Sequence, residues 1–182
     1  MKLLEVDKVE ILTLQDNYVD ITAMDNSAVV QRASPLQNMQ LKNSILAEHG
    51  FSALVTVHAD GKASSLLFDF GFSEDGAVRN AEMLGANIGS VKAMVLSHGH
   101  PDHTGGFRKF SSLIGADRRG IEFVCHPGVF MKPRYLKFGE EFKVYFPEFT
   151  KDTVLTEGFT LRETADPCLL LGSQVMFLGE IP

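Results

Sequence analysis

Three histidines and one aspartate lie within six residues of the chain: His98, His100, Asp102 and His103. Imidazole nitrogen and carboxylate oxygen suit zinc, iron or manganese in proteins. Alternate side chains of an extended segment point the same way, so His98 and His100 are expected to reach one ion together. Asp102 and His103 follow where the chain bends into a helix, and we expect them to face a second ion beside the first. This density of ligand-type side chains predicts a metal centre rather than a polar surface loop.

The segments on either side of this loop are expected to hold it in place. An apolar strand is predicted directly before it, over Val91–Ser97, and an amphipathic helix directly after it, over Thr104–Ile114. Gly99 and the pair Gly105-Gly106 allow the backbone to bend and to approach a substrate closely. The strand therefore predicts a rigid support for the four ligand-type side chains.

The remaining hydrophobic pattern predicts a mixed α/β fold in one domain that spans residues 1–182. Further strands are predicted over Lys8–Leu14, Ser52–His58, Ser64–Phe68 and Ile121–Cys125, a helix over Asp75–Ala86, and short strands within residues 136–146, 159–164 and 174–179. Asp60-Gly61 predicts a hairpin turn between the second and third strands. The order of a hairpin, then β-α-β-α-β, then a β-rich remainder indicates a sheet covered by helices on an outer face.

Five aromatic residues, Phe138, Phe142, Tyr145, Phe146 and Phe149, form a dense stretch in the β-rich remainder. Basic residues are not densely interleaved with them, which argues against a platform for nucleobases. We expect this stretch to form part of the core or a lid.

Composition narrows the classes of function. The net charge is −6 and the pI about 5.5, without the basic stripe of a nucleic-acid surface. No run of roughly 20 apolar residues could span a membrane, and the charged first residues lack the apolar region of a signal peptide. Cys125 and Cys168 are far apart and are expected to be reduced core thiols. We expect a cytoplasmic protein with a small-molecule substrate, without a nucleic-acid or membrane partner, and an oligomer stays open.

The segment SHGHPDHTGG resembles the HxHxDH signature of the metallo-β-lactamase superfamily at all four ligand positions. Asp69, in the Asp-Phe-Gly triplet after the third strand, is similar to the acid that braces the metal ligands in that superfamily. EHGFSALV, LLFDFG, RNAEMLG and the final GEIP are similar to one subgroup, the dihydropterin–aminobenzene ribofuranosyl phosphate synthase-like metal-dependent hydrolases. The resemblance covers nearly the whole chain and implies an αββα sandwich.

The same resemblance implies ligands that are not found in these 182 residues. Superfamily members add a third histidine to the first ion, a bridging acid, and a late histidine to the second ion. The chain therefore looks like the N-terminal portion of a longer domain, with its C-terminal part missing. Five further residues are candidates for a metal or substrate contact, each against a plain role at a turn or strand end: Asp16, Asn17, His49, His126 and Glu180.

We expect a metal-dependent hydrolase that uses a metal-activated water on an ester, amide or phosphoester-type small molecule. Asp102 is the expected catalytic residue, because it can orient the attacking water as well as bind an ion. Zinc is the expected cofactor, with one or two ions, and iron and manganese are alternatives. Two other functions stay open: a dihydropterin synthase-like transferase that forms a C–N bond, and a truncated, inactive metal-binding module.

Overall fold

The computed structural model describes residues 1–34, 36, 38–42, 44–116 and 118–180. Its strands are β1 (Lys8–Gln15), β2 (Ser52–Ala59), β3 (Lys62–Phe68), β4 (Val91–Leu96), β5 (Glu122–Cys125), β6 (Tyr135–Phe138), β7 (Phe142–Tyr145), β8 (Thr160–Glu163), β9 (Cys168–Leu170) and β10 (Val175–Phe177). Its helices are α1 (Gly76–Met83), α2 (Pro101–Thr104), α3 (Phe107–Ile114) and α4 (Lys151–Thr156). The predicted mixed α/β class is confirmed. Within the described ranges, no helix has the length and apolar character needed to cross a bilayer.

A six-stranded sheet in the order β1-β2-β3-β4-β5-β8 forms the centre of the fold. β1, β2 and β3 are antiparallel neighbours, and the turn between β2 and β3 holds Asp60 and Gly61 at φ of 51° and 71°. Both values are left-handed, as the Asp-Gly hairpin turn predicts. β3, β4, β5 and β8 pair in parallel, so they need crossovers, which contain α1, α3 and α4 in turn.

Apolar side chains cover both faces of this sheet. On one face, α1, α3 and α4 pack around Phe70, Phe107 and Phe123, each at most 1% exposed. On the other face, the β9–β10 hairpin packs over Val95 and Val124. The layers therefore run helix, sheet, hairpin, which is the order of the first three layers of an αββα sandwich. Both cysteines are buried and unpaired with each other, as predicted.

The helix predicted over Thr104–Ile114 is divided into α2 and α3. The N–H groups of Gly105 and Gly106 donate to the carbonyl oxygens of Gly71 and Phe70 at 2.8 and 3.1 Å. These bonds tie the chain to the end of β3 at the point where one continuous helix is predicted. α4 and β9 lie where no element is predicted, because six and three residues are too few to show a clear hydrophobic period.

The β6–β7 hairpin pairs only within itself, apart from the six-stranded sheet, and all eight of its residues are exposed. Phe138 and Phe142 are 56% and 63% exposed, so they are not part of the core, and of the two expected roles only that of a lid stays a prediction for them. Phe149, by contrast, packs against the core on the helical face of the sheet. Aromatic content alone cannot separate these cases, because it does not say whether a partner surface lies opposite.

Candidate metal centre

The carboxyl ends of β3 and β4 bring the predicted ligand residues together. β4 ends at Leu96, and the chain then runs through His98 and His100 into α2, which carries Asp102 and His103. We call residues 97–106 the metal loop. Because β3 and β4 are parallel neighbours, their carboxyl ends lie side by side, and the residue after β3 faces this loop.

Asp69 directly follows β3, is 1% exposed, and accepts three hydrogen bonds from the metal loop. Ser97 donates its N–H to Oδ1 at 2.7 Å and its hydroxyl to Oδ2 at 2.6 Å. His103 donates its Nδ1–H to Oδ2 at 2.6 Å. The φ of Asp69 is 53°, a left-handed conformation that Asp and Asn adopt more readily than most residues. Because Nδ1 of His103 is the donor, the neutral ring keeps its lone pair on Nε2, the nitrogen available to a metal.

His98, His100 and Asp102 form one group of candidate ligands. Each offers one ligating atom, and these atoms all lie within 4.8 Å of one another. Nε2 of His103 lies 3.4 Å from Oδ2 of Asp102. Asp102 therefore stands between the histidine pair and His103, whereas the spacing argument groups it with His103 alone. Two imidazoles and a carboxylate at these separations fit a zinc, iron or manganese ion.

Burial and neighbouring charges shift two of these histidines in opposite directions. Burial, together with the charges of His103 and His100, lowers the pKa of His98, which favours the neutral ring that binds metals. Burial also opposes protonation of His103, but the hydrogen bond to Asp69 and the carboxylate charges outweigh it, so the pKa of His103 is raised. Asp69 thus both orients His103 and makes its ring more basic.

The segment before β2 brings His49 against Asp102. Oδ1 of Asn17 accepts the N–H of Gly50 at 3.0 Å and lies 3.2 Å from Nδ1 of His49, which must donate to it. The other ring nitrogen of His49, Nε2, lies 3.3 Å from Oδ2 of Asp102. With Nδ1 donating to Asn17, the lone pair of a neutral His49 lies on Nε2, the nitrogen that faces Asp102.

His126 and Glu180 line a cleft of about 310 Å³ that also contains His98. Nδ1 of His126 accepts the N–H of Gly128 at 3.0 Å. A neutral His126 therefore carries its proton on Nε2 and offers the cleft a donor rather than a lone pair. In the part of the chain that the structure describes, neither His126 nor Glu180 belongs to the group of candidate ligands.

One more candidate, Asp16, lies at a turn, and two residues that were not candidates, Ser97 and Arg134, contact groups of the site. Asp16 is exposed and accepts the N–H of Asn17 at 2.7 Å, which is the role of a turn residue. Ser97 and Arg134 were not singled out from the sequence, although Ser97 bonds Asp69 and Arg134 lies against Gly99 of the metal loop. A glycine between two ligand histidines indicates that something approaches closely, but it does not say which residue.

Known proteins resemble this chain in sequence and in structure. The family model described as metallo-beta-lactamase superfamily matches residues 47–162. The 7,8-dihydropterin-6-methyl-4-(beta-D-ribofuranosyl)-aminobenzene-5'-phosphate synthase of Methanocaldococcus jannaschii is 28% identical over 130 residues, which cover 71% of this chain and 36% of that protein. Among solved structures, Rm3 metallo-beta-lactamase is 21% identical with a TM-score of 0.40, over 67% of this chain and 42% of its own. MIM-2 metallo-beta-lactamase is 21% identical with a TM-score of 0.38, over 70% and 47%. The chain spans less than half the length of each of these relatives.

Proposed function

The chain belongs to the metallo-beta-lactamase superfamily, and on that premise we propose that it is a metal-dependent hydrolase acting on a small molecule. One observation carries the proposal: the ligating atoms of His98, His100 and Asp102 lie within 4.8 Å of one another. The buried carboxylate of Asp69 holds this group from behind through Ser97 and His103. An arrangement braced in this way supports ion binding better than a loop of incidental histidines does.

We propose that His98 and His100 hold a first ion, and that Asp102 and His103 hold a second. Nε2 of His49, which lies 3.3 Å from Oδ2 of Asp102, is placed to add to the second set. Zinc is the proposed ion, one or two per chain, with iron and manganese as alternatives. When bound, such an ion acts as a Lewis acid that acidifies a water and polarises the bond to be cleaved.

The protein's own groups divide the remaining work. Asp102 would orient the attacking water and accept its proton at its carboxylate. Asp69 keeps His103 in the tautomer that presents Nε2 to the site. The Nε2–H of His126 is available to a developing negative charge on a substrate in the neighbouring cleft. The same groups would act on an ester, an amide or a phosphoester bond.

A transferase is the second candidate, and the relative named as a synthase favours it. In this alternative the same ligand group would stabilise a phosphorylated leaving group while a C–N bond forms. In both cases we propose that the protein acts in the cytoplasm, with a small-molecule substrate and without a nucleic-acid or membrane partner. Light scattering would measure whether the chain forms an oligomer.

Metal stoichiometry by mass spectrometry tests the proposal first, on the chain purified without chelator or His-tag. We expect about one to two equivalents of metal in the wild type and a value near zero in the double variant His98→Ala/His100→Ala. His58→Ala is the control, because His58 lies on β2 away from the metal loop and contacts Glu10. Unchanged metal content in the double variant would end the proposal.

The reaction is tested next on the metal-loaded chain. Ester, thioester, lactone, lactam and phosphodiester substrates probe the hydrolase, and pterin diphosphate with aminobenzene riboside, followed by mass spectrometry, probes the transferase. Turnover of the first set that is lost on chelation supports the hydrolase. Bound metal without turnover in either set would instead identify an inactive metal-binding module.

A further inference from the structure

Arg134, just before β6, lies directly against the backbone of the metal loop. Gly99, the residue between His98 and His100, is buried, and a Cβ added there would lie 2.9 Å from both Cζ and Nη1 of Arg134. The same Cβ would lie 2.3 Å from the carbonyl oxygen of Val129. A side chain at this position would therefore clash with the backbone of Val129 and displace the guanidinium.

The positive charge of Arg134 has no acidic partner among the described residues. Its hydrogen bonds go to two backbone carbonyl oxygens, from Nη2 to Gly128 at 2.6 Å and from Nε to Met131 at 3.2 Å. Partial burial lowers the pKa of this guanidinium. A half-buried cation without a counter-charge loses hydration that its two carbonyl contacts replace only in part. Such a charge is understandable if an anion binds beside it when the protein works.

Arg134 separates two cavities that a single ligand could occupy together. On one side is the cleft of about 310 Å³ that contains His98 and Ser97. On the other is a pocket of about 200 Å³ at the base of the β6–β7 hairpin, lined by Tyr145, Phe146 and apolar neighbours together with the ion pair of Lys132 and Glu148. The ring of Phe146 also meets the ring of His100 edge to face, with centroids 5.5 Å apart. The aromatic pocket is therefore continuous with the metal loop through Gly99 and Arg134.

We propose that Arg134 is an anion-binding positioning residue of this site, and that the substrate carries an oxyanion group next to a ring-sized apolar portion. The planar guanidinium fork suits a phosphate or a carboxylate. With the anion on Arg134, the ring enters the pocket beside Tyr145 and Phe146, and the bond to be cleaved extends into the cleft beside His98. The reaction in this statement rests on the proposed function, whereas the binding does not.

Titration calorimetry on the metal-stripped chain tests the binding without interference from an ion. The probes are phenyl phosphate, benzoate and the neutral benzyl alcohol. The variant is Arg134→Gln, whose amide nitrogen takes the place of Nε beside Met131 but which loses the charge and the guanidinium fork. Arg108→Met is the matched control, because Arg108 is exposed on α3 and its partner Glu157 keeps a second arginine, Arg118.

We expect Arg134→Gln to weaken binding of at least one of the two anions by about tenfold, while benzyl alcohol binds both proteins equally. Whichever of phenyl phosphate and benzoate loses more affinity identifies the oxyanion. Arg108→Met should bind all three probes as the wild type does. Equal anion affinities in the wild type and Arg134→Gln would overturn the inference.

Two further measurements keep the result decisive. If circular dichroism shows that Arg134→Gln does not fold, Arg134→Met replaces it, because it removes the charge but keeps a long, flexible side chain. Unchanged anion affinity in Arg134→Met would then overturn the inference. Metal content and turnover are measured in parallel on the wild type. Binding that depends on Arg134 in a chain without metal or turnover would leave this inference standing and the proposed function refuted.

Discussion

The metal loop and the β6–β7 hairpin border the same site, but the protein holds them in different ways. The metal loop is bonded to two separate segments. After β3, Asp69 accepts hydrogen bonds from Ser97 and His103, and the Phe70 N–H donates to the His103 carbonyl at 2.9 Å. Before β2, the Phe51 N–H donates to the Asp102 carbonyl at 3.3 Å. The hairpin strands pair with each other, and their side chains are exposed.

This difference separates two tasks of a metal-dependent site. Ion binding tolerates little displacement of the ligands, so the ligand-bearing loop is fixed from several sides. A substrate-facing segment can be held less tightly, because it has to admit and release a molecule. The contrast predicts that equivalent substitutions in the two regions have very different consequences.

The largest expected effect comes from truncating the first side chain after the metal loop. Phe107 is 1% exposed and packs against the rings of Phe70 and Phe123, so Phe107→Ala should lower the free energy of unfolding by about 3–5 kcal/mol. Phe142→Ala, on the hairpin, should cost less than about 1 kcal/mol. Urea denaturation measures both. Similar costs at the two positions would show that the hairpin is packed as firmly as the core.

The second-largest effect is expected at Asp69, whose carboxylate supports the ligand residues. Asp69→Asn removes the negative charge of the group that accepts hydrogen bonds from Ser97 and His103. We expect metal affinity to fall by about 10- to 100-fold. Asp60→Asn is a closely matched control, because Asp60 has φ of 51° against 53° for Asp69 but lies exposed in the β2–β3 turn. Both positions tolerate Asn, so backbone strain does not differ.

Competition with a chromogenic chelator measures the affinity of each variant. The control should bind metal as the wild type does. An affinity for Asp69→Asn equal to that of Asp60→Asn would mean that the metal loop keeps its geometry without help from the end of β3. The comparison between a braced loop and a loosely held hairpin would then lose its physical basis.

The central fold could be predicted because its signals are local. The apolar strand before His98, the Asp-Gly turn and the helical spacing after Asp75 each occupy a few consecutive residues, and each is found close to the predicted position. The division of the helix at Gly105-Gly106 could not be predicted, because it depends on carbonyl groups of residues 70 and 71 that are distant in sequence. Residue spacing shows that the chain can bend there, but not which backbone it meets.

The same distinction applies to the candidate site. His98, His100, Asp102 and His103 could be identified because they share one short loop. The approach of His49 to Asp102, and of Arg134 to Gly99, joins segments that are 53 and 35 positions apart in the sequence. A lone histidine or arginine has no pattern that reveals such a neighbour, so these contacts needed the three-dimensional structure.

The smallest expected effect tests whether the hairpin is independent of the sheet. Lys137 and Lys143 are direct cross-strand partners, which places like charges opposite each other, and Lys143 lies 4.3 Å from the ring centroid of Tyr135. Lys137→Thr removes the repulsion and should stabilise the hairpin by about 0.2–1 kcal/mol. Because the hairpin can open locally, the gain should appear as amide hydrogen exchange in β6 and β7 that is slower by about 1.4- to 5-fold.

Lys92→Thr, on β4, controls for the higher β-propensity of threonine, since Lys92 is exposed and its strand lies inside the six-stranded sheet. The melting temperature of the whole chain should stay unchanged in Lys137→Thr, because global unfolding is governed by the core around Phe107. If the melting temperature rises and exchange in the sheet slows as well, the hairpin unfolds together with the core. The contrast between the two regions would then be one of exposure rather than of stability, and adaptation of the hairpin to a substrate would require unfolding of the sheet.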